Sequence, residues 1–264
     1  MNKIMVIKFG GSMIDALSEQ FYEGIKKLKE SGWHPFIVHG GGPAINQMLN
    51  SLKIESGFHN GLRKTTEQVM DVVEMVLSGS MTNRIVRNLT KHGLPAIGMT
   101  GFDGHLLQAK AIDYEKLGYV GEITYVNKDL LLNVMSLGMI PVISPIAPGA
   151  DGKSCYNINA DTAAGAIATA VEAEKLLFVT DVPGILKEQQ LIEEATKSEI
   201  IELINDGTIT GGMIPKVKAA MHCLDGGMSE VMIVSGNANI VNGEKIIGTM
   251  IKGELEAFPY VTSV

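Results

Sequence analysis

Short runs of apolar, often β-branched residues recur along the chain, and segments with a helical apolar period lie between most of them. Such alternation predicts a mainly parallel sheet covered by helices on both faces. The candidate strands are residues 4–9, 35–39, 95–100, 139–144, 175–180 and 230–234. The candidate helices are residues 19–30, 44–52, 66–77, 129–137, 161–172 and 214–224. Two polar, glycine-containing stretches, residues 54–65 and 101–127, are predicted to form β-hairpins beside the sheet.

The domain organisation predicted from this pattern is one continuous α/β fold. A chain of 264 residues is long enough to bury a full core, and no linker rich in Pro, Gly or Ser divides it. The glycine clusters nevertheless fall into an early and a late group. We therefore expect two lobes, an N-terminal one over residues 1–172 and a C-terminal one over residues 173–264.

Charge and composition argue against several classes of function. The net charge is −7 and no basic stripe is visible, whereas nucleic-acid binding depends on clustered Lys and Arg. No apolar stretch approaches the ~20 residues of a membrane helix, and the first residues do not resemble a signal peptide. Cys155 and Cys223 lie far apart and form no metal-ligand spacing. We expect a cytoplasmic protein with two reduced thiols, no metal site, and neither a nucleic-acid nor a membrane partner.

Two glycine loops follow predicted strands directly. They are Lys8-Phe9-Gly10-Gly11-Ser12 and His39-Gly40-Gly41-Gly42-Pro43, the second of which leads into a helix. Glycines at the carboxyl ends of strands let backbone N–H groups approach an anion, although they also serve simple tight turns. Two such loops at comparable positions favour an anion site.

The commoner phosphate-binding fingerprints are absent from these loops. The sequence Gly152-Lys153-Ser154 resembles the end of a Walker A loop, but Ala147 stands where that loop requires glycine. A dinucleotide fingerprint starting at Gly40 would need glycine at the position of Ile45. Neither motif explains the glycines.

Charged side chains near the loops and at helix starts are the candidates for chemistry. Lys8 ends a strand, and Lys216 lies in the first turn of a helix, where a cation is disfavoured unless an anion binds. Lys218, two positions later, is expected to be a solvated neighbour on another face of the same helix. Asp161 either caps the following helix or holds lysines in position. Arg63, after the turn at Asn60-Gly61, is either a surface charge or the partner of a substrate carboxylate.

Taken together, these segments resemble the amino acid kinase family. The resemblance rests on the order and spacing of motifs around Lys8, His39–Gly42, Asn60–Arg63, Asn157–Asp161, Thr180–Ile185 and Gly211–Val217, and it extends from residue 3 to about 252. Within the family, the pattern is most similar to the members that phosphorylate N-acetyl-L-glutamate. His39 is expected to pack or hydrogen-bond locally.

The resemblance implies a three-layer αβα sandwich and a role for each motif. N-acetyl-L-glutamate would be held by Gly41, Gly42, Arg63 and Asn157. Lys8 and Lys216 would stabilise the transferred phosphoryl group with help from the amides of Gly10 and Gly11, and Asp161 would orient both lysines. ATP with Mg²⁺, the ion held mainly by the phosphates, would bind residues of the C-terminal lobe, namely Thr180, Asp181, Val182, Pro183, Gly184, Ile185, Thr208, Ile209 and Thr210.

Two alternatives within the same fold remain open from the sequence. One is a kinase for aminoadipate or glutamate attached to an acidic carrier protein, and the other is a non-catalytic amino-acid sensor. The joint presence of Lys8, Asp161 and Lys216 argues against a sensor.

The resemblance also implies an expectation about assembly. In the family that this chain resembles, arginine-inhibited members assemble as rings through a helix that precedes the first strand. Here the first strand begins at residue 3 or 4, so we expect a two-fold homodimer built through the N-terminal lobe and insensitive to L-arginine.

Overall fold

The computed structural model describes residues 3–243 and 245–253. The end of the predicted C-terminal lobe, residues 254–264, lies outside the described residues. The helices are α1 (Glu19–Glu30), α2 (Gly42–Leu52), α3 (Glu67–Glu74), α4 (Thr82–Lys91), α5 (Tyr114–Leu117), α6 (Lys128–Ser136), α7 (Ala160–Ala170), α8 (Lys197–Asn205) and α9 (Met213–Asp225). A π-helical segment, Met75–Met81, joins α3 to α4, and a 3₁₀ turn spans Asp103–His105.

The strands follow the same chain order. They are β1 (Lys3–Phe9), β2 (Trp33–His39), β3 (Phe58–His59), β4 (Leu62–Arg63), β5 (Ala96–Met99), β6 (Leu107–Ala111), β7 (Val120–Val126), β8 (Ile140–Ile143), β9 (Ile146–Pro148), β10 (Cys155–Ile158), β11 (Lys175–Thr180), β12 (Leu186–Lys187), β13 (Gln190–Leu191), β14 (Glu194–Thr196), β15 (Glu230–Ser235), β16 (Val241–Asn242), β17 (Lys245–Ile246) and β18 (Thr249–Lys252). All six strands predicted from the sequence are present.

The side chains of β1 alternate between two hydrophobic clusters because successive residues of a strand point to opposite faces. Ile4 and Val6 join one cluster with residues of α6, α7, α8 and α9. Met5, Ile7 and Phe9 join the other cluster with residues of α1, α2, α3 and α4. Each face of the sheet is therefore covered by helices, and the predicted three-layer αβα sandwich is confirmed.

The central sheet has eight strands in the order β14-β18-β15-β11-β1-β2-β8-β5. All neighbouring pairs are parallel except β15 with β18. From β1 the chain builds one side of the sheet with β2, β8 and β5, and the other side with β11 and β15. In open α/β sheets, ligands bind beyond the carboxyl ends of strands at such a change of direction.

The two predicted hairpins are present beside the main sheet. Strands β3 and β4 pair antiparallel, as do β6 and β7, which carry a β-bulge between Gln108 and Ala109. The second hairpin is larger than predicted, because β10 and β9 extend it to a four-stranded sheet in the order β6-β7-β10-β9. Among the described residues, no helix has the length and apolar character needed to cross a bilayer.

Candidate functional site

The two glycine loops touch each other beyond the carboxyl ends of β1 and β2. Phe9 and His39 are paired in register, and the N–H of Gly40 donates to the Phe9 carbonyl at 3.0 Å. A Cβ atom on Gly11 would lie 2.6 Å from Cα of Gly41. Because that distance leaves no room for a side chain, the close approach of the loops requires glycine at position 11.

Lys8 and Asp161 form an ion pair beside these loops. Their Nζ and Oδ1 atoms are 2.6 Å apart, and the side chains are 16% and 32% exposed. Asp161 is free for this contact because Asn159 caps α7, its Oδ1 accepting from the N–H groups of Asp161 and Thr162 at 2.8 and 3.2 Å. The sequence left capping or lysine positioning open for Asp161, and the geometry places its carboxylate on Lys8.

A cavity of about 320 Å³ opens between the glycine loops, the β3–β4 hairpin and the start of α7. This volume lies in the range typical of small-molecule sites, roughly 300–1,000 Å³. The predicted residues that line the cavity are Lys8, Gly10, Gly11, Gly41, Gly42, Arg63, Asn157 and Asp161. The structure therefore brings together the whole predicted acceptor set and all of the predicted catalytic set except Lys216.

Arg63 is 8% exposed, which excludes the reading as a solvated surface charge. Its Nη2 donates to Oδ1 of Asn46 at 2.6 Å and to the Gly42 carbonyl at 3.4 Å, while Nη1 donates to Oγ of Ser56 at 3.2 Å. Its Cζ lies 4.8 Å from the ring centroid of Phe58. Burial lowers the pKa of the guanidinium from its ordinary value.

The partners of Arg63 are all neutral. No carboxylate among the described residues lies within 4 Å of its guanidinium nitrogens. A buried cation normally has an anionic partner, because removing its hydration is costly. The charged side chains that line the cavity are Lys8, Arg63 and Asp161. Two cations against one carboxylate give the cavity an excess positive charge, which suits an anionic ligand.

Asn157 closes the cavity from the four-stranded sheet. Its side-chain amide donates to Oγ1 of Thr65 at 3.2 Å, and Thr65 in turn donates to the Arg63 carbonyl at 2.9 Å. This chain of hydrogen bonds ties the amide to the segment that carries the guanidinium. The arrangement offers a polar amide and a cation on neighbouring walls.

Lys216 lies in the first turn of α9 and contacts the end of β11 rather than Asp161. Its ammonium donates to Oγ1 of Thr180 and lies 3.5 Å from Oδ1 of Asp181. The Thr180 hydroxyl and then Lys216 hold the pKa of the Asp181 carboxyl below its ordinary value. Because β1 and β11 are adjacent and in register from Met5↔Lys175 to Phe9↔Val179, this group lies at the same edge of the sheet as Lys8.

The residues predicted to bind nucleotide are split between surface and core. Asp181 and Thr210 are exposed, whereas the side chains of Ile185 and Ile209 are each 2% exposed and belong to a hydrophobic cluster. The N–H of Ile185 is already bonded to Oγ1 of Thr249 at 2.8 Å. The remaining predicted positions lie on the same two segments, the one after β11 and the one before α9. They are Val182, Pro183, Gly184 and Thr208.

The cavity lining also contains residues that were not predicted from the sequence, among them Phe58 and Leu77, and Asn46, which holds Arg63, was not predicted either. Asn46 lies four positions after Gly42, in the first turns of α2, and helical spacing from the glycine loop is the signal that could have found it. Leu77 belongs to the π-helical segment, for which the sequence carries no comparable signal.

His39 and the cysteines behave as structural residues. His39 is fully buried, and its Nε2 lies 2.8 Å from Oγ1 of Thr82. Cys155 and Cys223 are free thiols, and burial raises the pKa of each to about 12. Such thiols are poor nucleophiles, because the thiolate is the reactive form.

The sequence matches the amino acid kinase family over residues 3–235. Acetylglutamate kinase from Geobacillus thermodenitrificans (strain NG80-2) is 51% identical over 258 residues, covering 98% of this chain and 100% of that protein. Acetylglutamate kinase from Bacillus subtilis (strain 168) is 49% identical over 257 residues, covering 97% and 99%.

A solved structure gives the same result for the fold. The crystal structure of smu.665 from Streptococcus mutans UA159 matches with a TM-score of 0.82 at 31% sequence identity, covering 96% of this chain and 99% of that chain. The similarity therefore extends over both glycine loops, the cavity and the helix that carries Lys216.

Proposed function

This chain belongs to the amino acid kinase family, and from that membership we propose that it transfers the γ-phosphoryl group of ATP to the side-chain carboxylate of N-acetyl-L-glutamate. The product is N-acetyl-L-glutamyl 5-phosphate, and the reaction is the second step of arginine biosynthesis. The observation that carries the proposal is the buried Arg63 guanidinium, whose partners among the described residues are neutral and which lines the cavity together with Lys8.

The acceptor is held by the wall opposite the lysine. Arg63 binds the α-carboxylate, since a guanidinium forms two parallel hydrogen bonds with a carboxylate. Asn157 binds the neutral acetamido group, and the amides of Gly41 and Gly42 complete the contacts. Asn46 and Ser56 already hold two nitrogens of Arg63, at 2.6 and 3.2 Å, so the cation is oriented before the ligand binds.

The reaction requires positioning and charge neutralisation rather than a general base. A glutamate side chain has a pKa of about 4.3 and is already an ionised nucleophile at neutral pH. One of its oxygens forms a bond to the γ-phosphorus, the bond from phosphorus to the β–γ bridging oxygen breaks, and ADP leaves with the electron pair. Lys8, Lys216 and the amides of Gly10 and Gly11 stabilise the charge on the phosphoryl oxygens.

Different residues hold the two lysines that contact the phosphoryl group. Asp161 holds Lys8, at 2.6 Å, whereas Thr180 and Asp181 hold Lys216. We therefore assign Asp161 as a positioning residue for Lys8 alone, rather than for both lysines as the resemblance implied. This division fits a site in which β1 serves the acceptor side and β11 with α9 serves the nucleotide side.

The nucleotide binds at the ends of β11 and of the loop before α9. Its surroundings include Thr180, Asp181, Val182, Pro183 and Gly184, with Thr208 and Thr210, while Ile185 and Ile209 anchor these two segments in the core. No cluster of three or more metal-ligating side chains occurs within residues 3–243 and 245–253. In this proposal Mg²⁺ enters as part of the ATP substrate, held mainly by its phosphates, where it neutralises phosphate charge.

We also propose that the enzyme works in the cytoplasm, where ATP is supplied, as a homodimer without a nucleic-acid or membrane partner. The homodimer is supported by β5, which pairs with β8 on one side and, within the part of the chain that the structure describes, is the last strand at that edge of the sheet. Ile97 on this strand is 38% exposed. An open edge strand is a ready template for pairing with a second chain.

The test of the proposed reaction is to trap its product. Incubation with ATP, Mg²⁺, N-acetyl-L-glutamate and hydroxylamine converts an acyl phosphate to a coloured hydroxamate. Colour that requires both ATP and the acceptor supports the proposal. ATP consumption without hydroxamate, or no turnover at all, contradicts it.

A further inference from the structure

The helix that runs from α3 to α4 is widened in its middle. In the π-helical segment Met75–Met81, the N–H of Thr82 bonds to the carbonyl of Leu77, five residues earlier. Single π turns inside α-helices are rare and occur frequently at functional sites. This segment carries Leu77, which lines the acceptor cavity.

A chain of buried hydrogen bonds holds the widened turn. Oγ1 of Thr82 donates to the Leu77 carbonyl at 2.8 Å, and Nε2 of His39 lies 2.8 Å from the same Oγ1. The three residues are at most 5% exposed. The Thr82 methyl packs against Gly98, where a Cβ atom would collide with it, so its rotamer is fixed with the hydroxyl toward Leu77 and His39.

Both ring nitrogens of His39 have a partner. Nε2 lies 2.8 Å from Oγ1 of Thr82, and Nδ1 lies 3.3 Å from the Gly40 carbonyl. A neutral imidazole donates from one nitrogen and accepts at the other, so the contact with the Thr82 hydroxyl is a hydrogen bond in either tautomer. Burial lowers the pKa of His39 to about 4, so the imidazole is neutral at pH 7.

Leu77, at the other end of this hydrogen-bond chain from His39, packs against the second glycine loop. A Cβ atom on Gly41 would lie 2.5 Å from Cδ2 of Leu77, so the Leu77 side chain rests directly on the Gly41 backbone. His39 precedes that loop and Leu77 forms the wall against it. The distance between the second glycine loop and the π-helical segment is therefore set by two contacts. One is the hydrogen bond between His39 and Thr82, and the other is the packing of Leu77 on the Gly41 backbone.

We propose that His39 and Thr82 are positioning residues that hold the π-helical segment, and through Leu77 the Gly41 backbone, in the geometry that binds the acceptor. The proposal rests on the proposed function for its kinetic consequence. It assigns no contact with substrate to either residue. It predicts that breaking the hydrogen-bond chain weakens acceptor binding while leaving nucleotide binding, at the other side of the sheet edge, unaffected.

The kinetic test uses Thr82→Val, which removes the hydroxyl at nearly constant shape. We expect the KM for N-acetyl-L-glutamate to rise roughly tenfold, the effect of losing one buried hydrogen bond, with the KM for ATP unchanged within about twofold. Thr82→Ser keeps the hydroxyl and should keep the acceptor KM within about threefold of wild type. The control is Thr90→Val, an exposed threonine of the same helix α4. Equal acceptor KM values for Thr82→Val and wild type would overturn the proposal.

A second measurement does not depend on the reaction. Nitrogen-15 NMR of the full-length chain should show a changed Nε2 shift of His39 in Thr82→Val and not in Thr90→Val. Hydrogen exchange of the amides of residues 77–82 should accelerate in Thr82→Val and not in Thr90→Val. An unchanged Nε2 shift or unchanged exchange in Thr82→Val would overturn the proposal. If wild type makes no hydroxamate, the proposed function fails, while the NMR and exchange results still decide whether the hydrogen-bond chain holds the segment.

Discussion

The Nζ atom of Lys8 lies 2.6 Å from Oδ1 of Asp161 and joins the end of β1 to the first turn of α7. Both residues line the cavity that also contains Arg63. The pair fixes an ammonium group between the glycine loops, with part of its surface still open to a ligand. Lys8 is therefore placed to act on a group that enters this cavity.

Removing either lysine should slow the chemical step. Lys8→Ala and Lys216→Ala are each expected to lower kcat by roughly 10²–10³, the usual loss for one preorganised donor to transition-state charge. The hydroxamate assay under saturating substrates measures this. Lys218→Ala is the matched control, because Lys218 is exposed on the same helix as Lys216. A Lys8→Ala enzyme with near-normal kcat would contradict the mechanism.

Removing Arg63 should affect binding instead. Arg63→Ala is expected to raise the KM for N-acetyl-L-glutamate by roughly 10- to 100-fold, from a lost charge-assisted hydrogen bond of about 1.5–3 kcal/mol. Arg63→Lys should recover only part of the loss, since an ammonium cannot form the paired contact. The neighbouring exposed Lys64 provides the control as Lys64→Ala. An unchanged acceptor KM in Arg63→Ala would exclude the assigned role.

The buried His39 should make the fold sensitive to acid. An unfolded histidine has a pKa of about 6.5, whereas burial lowers the pKa of His39 in the folded state to about 4. Between these values the unfolded chain binds a proton that the folded one does not. The free energy of unfolding should therefore fall as the pH drops through that window, by up to about 3 kcal/mol from this group, with no loss above it.

Urea unfolding of wild type and His39→Gln between pH 7 and pH 4 measures this contribution. The variant should be less stable at pH 7 and should lose less stability on acidification. His222→Gln, at an exposed histidine of α9, should follow the wild-type curve. Identical pH dependence in wild type and His39→Gln would show that His39 does not titrate as stated.

The open edge of β5 should support the homodimer. Light scattering is expected to give twice the chain mass for wild type and a lower mass for Ile97→Lys, because a lysine on an edge strand opposes strand pairing. Ile201→Lys makes the same change at an exposed isoleucine of α8 and should remain dimeric. A monomeric wild type, or a fully dimeric Ile97→Lys, would contradict this interface.

The central sheet could be predicted from the sequence because its strands are short apolar runs bounded by glycine and charge. The helix from α3 to α4 was harder to predict from the sequence, and residues 82–91 were not among the predicted helices. Ser78, Gly79 and Ser80 are weak helix formers, and the π turn shifts the apolar period. The hydrogen bond between His39 and Thr82 joins two residues far apart in sequence.

The site shows a similar division. The glycine loops carry their own local signal, whereas Arg63 could be a surface charge or a ligand until its burial was known. Likewise, the contacts of Lys216 with Thr180 and Asp181 depend on how α9 packs beside β11. Ile209 lies within a predicted nucleotide segment, yet its side chain belongs to the core.

The most direct measurement of the central claim compares acceptors in the hydroxamate assay. We expect kcat/KM for N-acetyl-L-glutamate to exceed that for free L-glutamate by about 100-fold. The free amino acid brings an ammonium group into a cavity lined by Lys8 and Arg63, and burying that charge without a partner costs on the order of a few kcal/mol. Aspartate and carbamate should also react poorly. Equal kcat/KM for N-acetyl-L-glutamate and free glutamate would contradict the account.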